Sequence, residues 1–170
     1  MFVRLRQPFF LLLLPGSFVA HHTWGETMHI QLAINDQRLQ ATLDDTASGR
    51  DLYALLPLTL SVEAYAATET IGYLPRKLTT QGAPAGVEPR VGDITYYAPW
   101  GNLALFHRDF SYSRGLIRLG HIEGAPAAIS RALRIDRTTT LTLTPLTGPS
   151  GSGTDAVSEP ALKPHLQEKN

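Results

Sequence analysis

The chain of 170 residues contains no cysteine, and this absence excludes several kinds of protein at once. Disulfide scaffolds, thiolate zinc sites, iron–sulfur clusters and cysteine nucleophiles all need the missing side chain. An excess of charge is missing as well, because 15 Lys and Arg balance 15 Asp and Glu. A neutral chain lacks the basic footprint that phosphate backbones require, so we predict no nucleic-acid partner.

Metal-ligand spacing is also missing, although the chain has six histidines. His29, His107 and His121 fall on separate predicted strands, and the other three lie in the terminal segments. No pair has the spacing of a helical zinc site. We therefore predict neither a metal ion nor a cofactor.

No apolar run is long enough to cross a membrane as a helix, which takes about 20 residues. Residues 1–27 instead form a leader in which Arg4 and Arg6 precede a short apolar run, the pattern of a secretory signal. The alternative is translation from Met28. The protein would be exported or periplasmic in the first case and cytoplasmic in the second, and in neither do we expect an integral membrane segment.

The opposite end, residues 145–170, is rich in Gly, Ser and Pro. Such a segment buries too little apolar surface to offset its ordering entropy, so we predict a disordered tail. Residues 28–144 remain as the single folded domain. With 43% hydrophobic residues, the chain as a whole has enough apolar side chains for a real core.

Within residues 28–144, apolar and polar side chains alternate in the way that is typical of half-buried strands. Ile30, Leu32 and Ile34 share one face of the first predicted strand, and Asn35 with Asp36 forms a tight turn to the second. Strands are predicted at residues 28–34, 37–43, 58–63, 70–74, 93–98, 102–107, 116–122 and 138–144. Two short helices are predicted, one ended by Pro57 and one at residues 126–133. Eight strands in one small domain favour a closed or nearly closed β-barrel, which leaves no exposed edges.

Three segments, residues 55–60, 73–78 and 92–106, resemble the small prokaryotic cyclophilin-like family. The resemblance extends over residues 28–144, and its most specific part is the run Asp-Ile-Thr-Tyr-Tyr-Ala-Pro-Trp-Gly-Asn, which begins at Asp93. It implies an all-β-dominated fold, a closed eight-stranded cyclophilin-like barrel with two short helices that cap its open ends.

Fold alone does not assign function. True cyclophilins isomerise prolyl bonds with an Arg beside an apolar floor, and their signature places Phe-His-Arg before a Pro and a Gln-Gly-Gly-Asp run. This chain has Phe106, His107 and Arg108, but the Pro and the later run are missing. The alternative interpretation is a strand that ends in solvated His107 and Arg108. We therefore predict a non-catalytic module that binds a peptide or small molecule. A divergent peptidyl-prolyl isomerase using Arg76 or Arg108, and a self-associating structural protein, are the alternatives.

Aromatic and arginine side chains in the family-like segments are the predicted ligand site. They are Tyr73, Arg76, Tyr96, Tyr97, Trp100 and Arg108. The arginines would hold a carbonyl or carboxylate while the rings pack against an apolar group. The alternative is purely architectural: Tyr96 or Tyr97 fills the barrel, since successive strand residues face opposite sides, and Trp100 covers its mouth.

Two further charged groups are interpreted as structural. Asp45 with Thr46 offers a helix cap, and the carboxylates of Asp44 and Asp45 at this helix start are expected to satisfy exposed backbone donors and the helix dipole. The arginines of the last third of the chain are expected to form a solvated face, paired with Asp109, Glu123 and Asp136.

Overall fold

The computed structural model describes residues 27–146, so the predictions about the leader and the tail concern segments outside the described residues. Twelve elements follow one another in this range. They are β1 Met28–Ile34, β2 Gln37–Leu43, α1 Ala47–Tyr53, β3 Leu58–Tyr65, β4 Glu69–Tyr73, β5 Gly86–Val87, β6 Asp93–Tyr97, β7 Asn102–Phe106, β8 Ser113–Arg114, β9 Leu116–Ile122, α2 Pro126–Leu133 and β10 Thr139–Pro145.

Eight of the strands form a closed barrel in the order β1-β10-β3-β4-β7-β6-β9-β2, and β5 pairs with β8 in a separate small sheet. Neighbouring strands are antiparallel throughout. The predicted closed eight-stranded barrel with two short helices is confirmed. The Asn35–Asp36 turn is confirmed too, since Ile34 pairs with Gln37 directly across it.

The barrel interior is filled by the apolar half of each alternating strand. Leu32 lies opposite Leu143 and Ile34 opposite Leu141 across the β1–β10 pair, and all four side chains are fully buried. Alternation places every second side chain inside, so a one-residue shift of register would expose this whole set. The interior is therefore a packed core.

Helix α1 begins at a Thr46 cap, which confirms the threonine of the predicted cap and corrects the expectation for the carboxylates of Asp44 and Asp45. The Thr46 hydroxyl accepts a hydrogen bond from the Gly49 amide at 3.0 Å. Thr46 has an extended backbone, which brings its side chain over the open amides of the first turn. The two aspartates precede this position and instead form ion pairs, Asp44 with Arg118 and Asp45 with Arg50.

A second apolar cluster covers part of the barrel's outer surface. Ile71, Ala104, Phe106 and Leu116 are buried there, and Tyr97 packs against them. All five residues of β7 are buried, so both faces of this strand are covered. Function-bearing side chains are therefore to be sought on the outside of the barrel, because the inside is full.

Candidate functional site

A pocket of about 210 Å³ opens over the outer face of β4 and β7. Its lining is mostly aromatic or small, with one carboxylate and one amide, and we call it the aromatic pocket. The lining residues are Tyr65, Ala66, Thr68, Glu69, Tyr97, Trp100, Asn102, Ala104, Phe106, Phe110, Ser113 and Leu116. Drug-sized ligand sites occupy roughly 300–1,000 Å³, so this pocket suits a single side chain or a small head group.

Two hairpin turns bring the lining together. The β3–β4 turn supplies Tyr65 and Glu69, and the β6–β7 turn supplies Trp100. Because β4 pairs with β7, Glu69 lies directly opposite Phe106. Because β6 pairs with the other edge of β7, Tyr97 lies opposite Asn102. The register of three strands therefore determines which side chains meet on this face.

The aromatic rings stand at right angles around Trp100. The centroid of its ring lies 5.6 Å from that of Tyr65 and 5.4 Å from that of Tyr97, with interplanar angles of 90° and 82°. Phe106 and Phe110 stack at 6.4 Å on the same pocket. Tyr65, Trp100 and Phe110 are each more than two-fifths exposed. Exposed aromatic groups that converge on one concavity mark an interaction site more often than scattered ones do.

The β3–β4 turn has an unusual backbone beside this pocket. Ala66 and Ala67 adopt φ values of 47° and 56° in the left-handed region. Glycine or asparagine usually fills such positions, because a Cβ atom crowds the following carbonyl there. Ala66 also lines the aromatic pocket, so the strained turn forms part of the pocket wall.

Glu69 carries the only charge among the pocket-lining side chains. No ion-pair partner lies near it within residues 27–146. Burial disfavours its ionised form and raises the pKa of its carboxyl from 4.5 to about 6. A cation brought into the pocket would stabilise the carboxylate and lower that pKa again.

Asn102 is the second polar feature of the pocket. It is 2% exposed, and its side-chain Oδ1 has no hydrogen-bond partner among the described residues. A buried polar group without a partner costs free energy, roughly 1–3 kcal/mol. Such a cost is expected where a ligand provides the missing partner.

The predicted site residues separate into three environments. Tyr97 and Trp100 line the aromatic pocket. Tyr96 is inside the barrel, 1% exposed, and its hydroxyl accepts a hydrogen bond from the Leu78 amide at 3.2 Å. The architectural alternative placed Tyr96 or Tyr97 inside the barrel, and it is correct for Tyr96. Trp100 packs beside Tyr65 on the outer face.

Tyr73 and Arg76 do not line the pocket, although Tyr73 lies directly opposite Asn102 in the β4–β7 pair. Tyr73 is exposed beside a shallow groove with Glu63 and Ile71. Arg76 donates two hydrogen bonds to the Asp51 carboxylate, at 2.6 and 3.1 Å. The pKa of Asp51 is lowered chiefly by this contact, and burial opposes it. Arg76 is thus engaged with the end of α1.

Arg108 lines a separate, more open groove between the end of β7 and the start of α2, which we call the arginine groove. Its lining is Arg90, Val91, His107, Arg108, Asp109, Pro126, Ala127 and Ser130. The expectation that His107 is solvated is wrong, since it is 3% exposed and its Nδ1 has no partner in the described chain. The ring lies at the groove beside Pro126, Ala127 and Ser130 of α2, a helix that contacts β7. Burial lowers the pKa of His107, and the charges of Arg134 and Arg108 lower it further.

A third polar group, around Asp93, is saturated. One Asp93 oxygen accepts from Arg118 at 3.1 Å and lies 3.2 Å from the His121 ring, and the other accepts from the Arg90 amide at 2.9 Å. The predicted pairing of the late arginines is therefore only partly right. Arg137 lies near Asp136, but Arg118 pairs with Asp93 at the start of β6 and with Asp44 just after β2. We find no open position for a ligand in this network.

Residues 27–146 contain no group of three or more His, Asp or Glu side chains arranged to hold a metal ion. Within the same range, no helix is both long and apolar enough to cross a membrane.

Of the residues that line the pocket, only Tyr97 and Trp100 were predicted as site residues; Tyr65, Glu69, Asn102 and Phe110, which carry the argument below, were not. One signal in the sequence pointed to this face of the barrel, the unbroken apolar run Leu103-Ala104-Leu105-Phe106 in β7. A strand that is apolar on both faces must be covered on both faces. The cover on the outer side is the wall of this pocket.

Comparison with known proteins supports the fold. A family model described as the cyclophilin-like family matches residues 32–144. Among solved structures, the chain is similar to the solution structure of a hypothetical protein from Archaeoglobus fulgidus, with a TM-score of 0.48 and 15% identity. That match covers 71% of this chain and 98% of the archaeal one. The search of curated proteins found no significant match.

Proposed function

The chain belongs to the cyclophilin-like family, and from that premise we propose that it is a non-catalytic binding module whose ligand is a peptide segment or a small molecule. The ligand occupies the aromatic pocket. The observation that carries this proposal is the convergence of exposed Tyr65, Trp100 and Phe110 on a cavity that also holds an unpartnered amide, that of Asn102.

The pocket offers the two kinds of contact that a specific small site needs. Its rings bury an apolar group, and the Asn102 amide gives a fixed point for one hydrogen bond. A peptide carries both features side by side, an apolar side chain and a backbone N–H. The ligand gains affinity because a hydrogen bond at Asn102 removes a cost already present in the free protein.

Neither arginine of the isomerase alternative supports catalysis at this pocket. Cyclophilin chemistry needs an Arg over an apolar proline-sized cavity, but no Arg lines the aromatic pocket. Arg76 is held by Asp51, and Arg108 lines the arginine groove, which also contains charged Arg90 and Asp109. Binding without catalysis is therefore the function that the geometry supports best.

Fluorescence of Trp100 provides the test of binding. The chain has two tryptophans, so Trp24→Phe in the full chain leaves Trp100 as the only one. We expect saturable changes with acetyl-Ala-Pro-amide or acetyl-Ala-Leu-amide. Tyr65→Leu in the pocket should weaken binding, whereas Tyr53→Leu in α1, the same substitution at a ring that does not line the pocket, should not. Binding that both variants leave unchanged would place the site elsewhere.

A protease-coupled prolyl isomerisation assay tests the absence of catalysis. We expect the uncatalysed rate, whose barrier is about 18–20 kcal/mol. Acceleration that disappears in Arg76→Ala or Arg108→Ala would instead establish the isomerase. Size-exclusion chromatography addresses the third alternative, because self-association through the exposed rings would be reduced by Tyr65→Leu.

A further inference from the structure

The aromatic pocket has acceptors but no cation of its own. Its lining contains the carboxyl of Glu69, the amide of Asn102, several hydroxyls and five aromatic rings, but no Lys, Arg or His. We infer that its ligand presents an organic cation, a small alkylammonium group, which enters the pocket against the rings that line it, with Glu69 as its counter-ion. This inference rests on the proposed function and specifies the ligand of the same site.

The rings provide the first part of the argument. Tyr65 and Tyr97 each stand nearly perpendicular to Trp100, within 5.6 Å between centroids. Aromatic faces carry partial negative charge, and a cation within about 6 Å of a ring centroid is attracted to it, most strongly by Trp. Walls in perpendicular planes allow one alkylammonium group to contact more than one ring. This arrangement suits a tetrahedral, weakly hydrated head group better than a flat neutral one.

Glu69 provides the second part. It is half-buried, lies opposite the buried Phe106, and has no cationic partner in the described chain. The other acids of the barrel with low exposure have such partners, as Asp93 has Arg118 and Asp51 has Arg76. A partly desolvated carboxyl without a partner is completed by a positively charged ligand. Anionic ligands are disfavoured at the same place, because they would meet Glu69 with no compensating cation.

Size and polarity provide the third part. A volume of about 210 Å³ accommodates a methylated ammonium group while the rest of the ligand extends outward. The side-chain oxygen of Asn102 is buried at the pocket wall without a partner in the described residues, and a rotation of the side chain that exposes it would let it accept an N–H from an ammonium that carries a proton. The other titratable side chains that line the pocket are the phenols of Tyr65 and Tyr97. Glu69 is thus the group that makes binding depend on pH.

The experiment compares two probes of the same shape in the full chain carrying Trp24→Phe. Tetramethylammonium chloride is the cation, neopentyl alcohol is its neutral counterpart, and sodium chloride is held at matched ionic strength. We expect the cation to bind about tenfold more tightly above the Glu69 pKa, and the difference to shrink as Glu69 is protonated near pH 5. By linkage, bound cation should lower the Glu69 pKa, as observed by carboxyl carbon NMR.

Two variants separate the charge from the pocket. Glu69→Gln should reduce tetramethylammonium affinity about tenfold and leave neopentyl alcohol unaffected. Glu63→Gln removes the same charge from the neighbouring groove and should change neither. If both probes bind equally, or if Glu69→Gln does not matter, the cation inference is overturned while the proposed function stands. If neither probe nor the neutral peptides bind, both are overturned.

Discussion

The aromatic pocket and the arginine groove lie next to each other, and two residues adjacent in the chain line different surfaces. Phe106 lines the first and His107 the second. Each holds one buried polar atom without a partner, Oδ1 of Asn102 and Nδ1 of His107. Each also holds one group that burial drives towards its neutral form, with a raised pKa at Glu69 and a lowered one at His107.

The two surfaces differ in what surrounds those groups. Arg134 and Arg108 add to the effect of burial at His107, so the arginine groove already supplies the positive charge that keeps the ring neutral. At Glu69 burial is the sole cause, and no charge in the lining opposes it. Burial favours the neutral form of both groups, but the charges that surround them differ. At His107 the arginines of the chain itself favour the neutral ring, as burial does. At Glu69 the pocket lining holds no cation, so a positive charge beside the carboxylate has to come from a ligand.

The largest expected effect concerns the floor of the aromatic pocket. Phe106→Ala removes a ring that is 2% exposed and should lower the free energy of unfolding by about 3–5 kcal/mol, because a cavity remains. Phe110→Ala removes its stacked, 44% exposed partner and should cost about 1 kcal/mol or less. Urea denaturation measures both values. Equal losses would mean that the pocket has no firm floor.

The second prediction sets stability against binding at Asn102. Asn102→Leu removes an unpartnered buried group and should leave the free energy of unfolding unchanged or raise it by about 1 kcal/mol. Peptide binding observed by Trp100 fluorescence should weaken about tenfold. The matched control is Thr95→Val, since the Thr95 hydroxyl donates to the Ala104 carbonyl at 3.0 Å. That loss should destabilise by about 1 kcal/mol. If Asn102→Leu were as harmful as the control, Asn102 would have a structural role.

The third prediction concerns the strained pocket wall. Ala67→Gly relieves a left-handed alanine, and after the greater entropy of unfolded glycine is subtracted it should stabilise by roughly 0.5–1 kcal/mol. Thermal unfolding measures the gain. Because Ala67 does not line the pocket, affinity should not change, whereas Ala66→Gly should stabilise similarly and also alter binding. Destabilisation by Ala67→Gly would show that the turn is not strained.

The smallest expected effect is on pH dependence, where the two surfaces act in opposite directions. The Glu69 pKa of about 6 lies above its ordinary 4.5, so the stability it contributes is complete below 4.5 and is lost as pH rises through 6. The His107 pKa lies below 6.5, so its contribution is complete above 6.5 and is lost as pH falls through the lowered value. Solvent screening keeps the Glu69 effect modest, because the side chain is only half-buried.

Urea titrations between about pH 4 and pH 8 test this opposition. Glu69→Gln should remove the decline of stability between 4.5 and 6 and leave the rise that comes from His107. An NMR titration of the His107 ring reports its pKa independently of stability. A Glu69→Gln profile parallel to that of the unmodified protein would show that Glu69 is not desolvated.

Local patterns predicted elements whose side chains alternate or repeat within a few residues. The bounds of β9 and α2 agree with the prediction to the residue, and those of β1 and β2 do too. The two-residue strands β5 and β8 were missed, since Gly86–Val87 and Ser113–Arg114 are too short to show a period. They exist because they pair with each other, which is a tertiary event.

The candidate site was predicted only in part, for a related reason. Tyr97 and Trp100 stand out because they belong to a distinctive contiguous run. Tyr65 and Glu69 belong to a hairpin whose sequence contains no recognisable motif. Glu69 meets Phe106 through the pairing of β4 with β7, across a long separation in the chain. The environment of His107 likewise depends on α2, a helix distant in the chain that contacts β7.

The sequence by itself therefore determined the eight barrel strands and the Asn35–Asp36 turn, and it favoured a closed barrel, because side-chain alternation is a local property of an extended chain. Tertiary structure alone decided which polar groups would be satisfied. Asp93 gained Arg118, Asp51 gained Arg76, and Glu69 gained no cation within the described chain. Those outcomes depend on strand register and loop path, which bring distant residues within a few ångströms, where desolvation and charge act strongly.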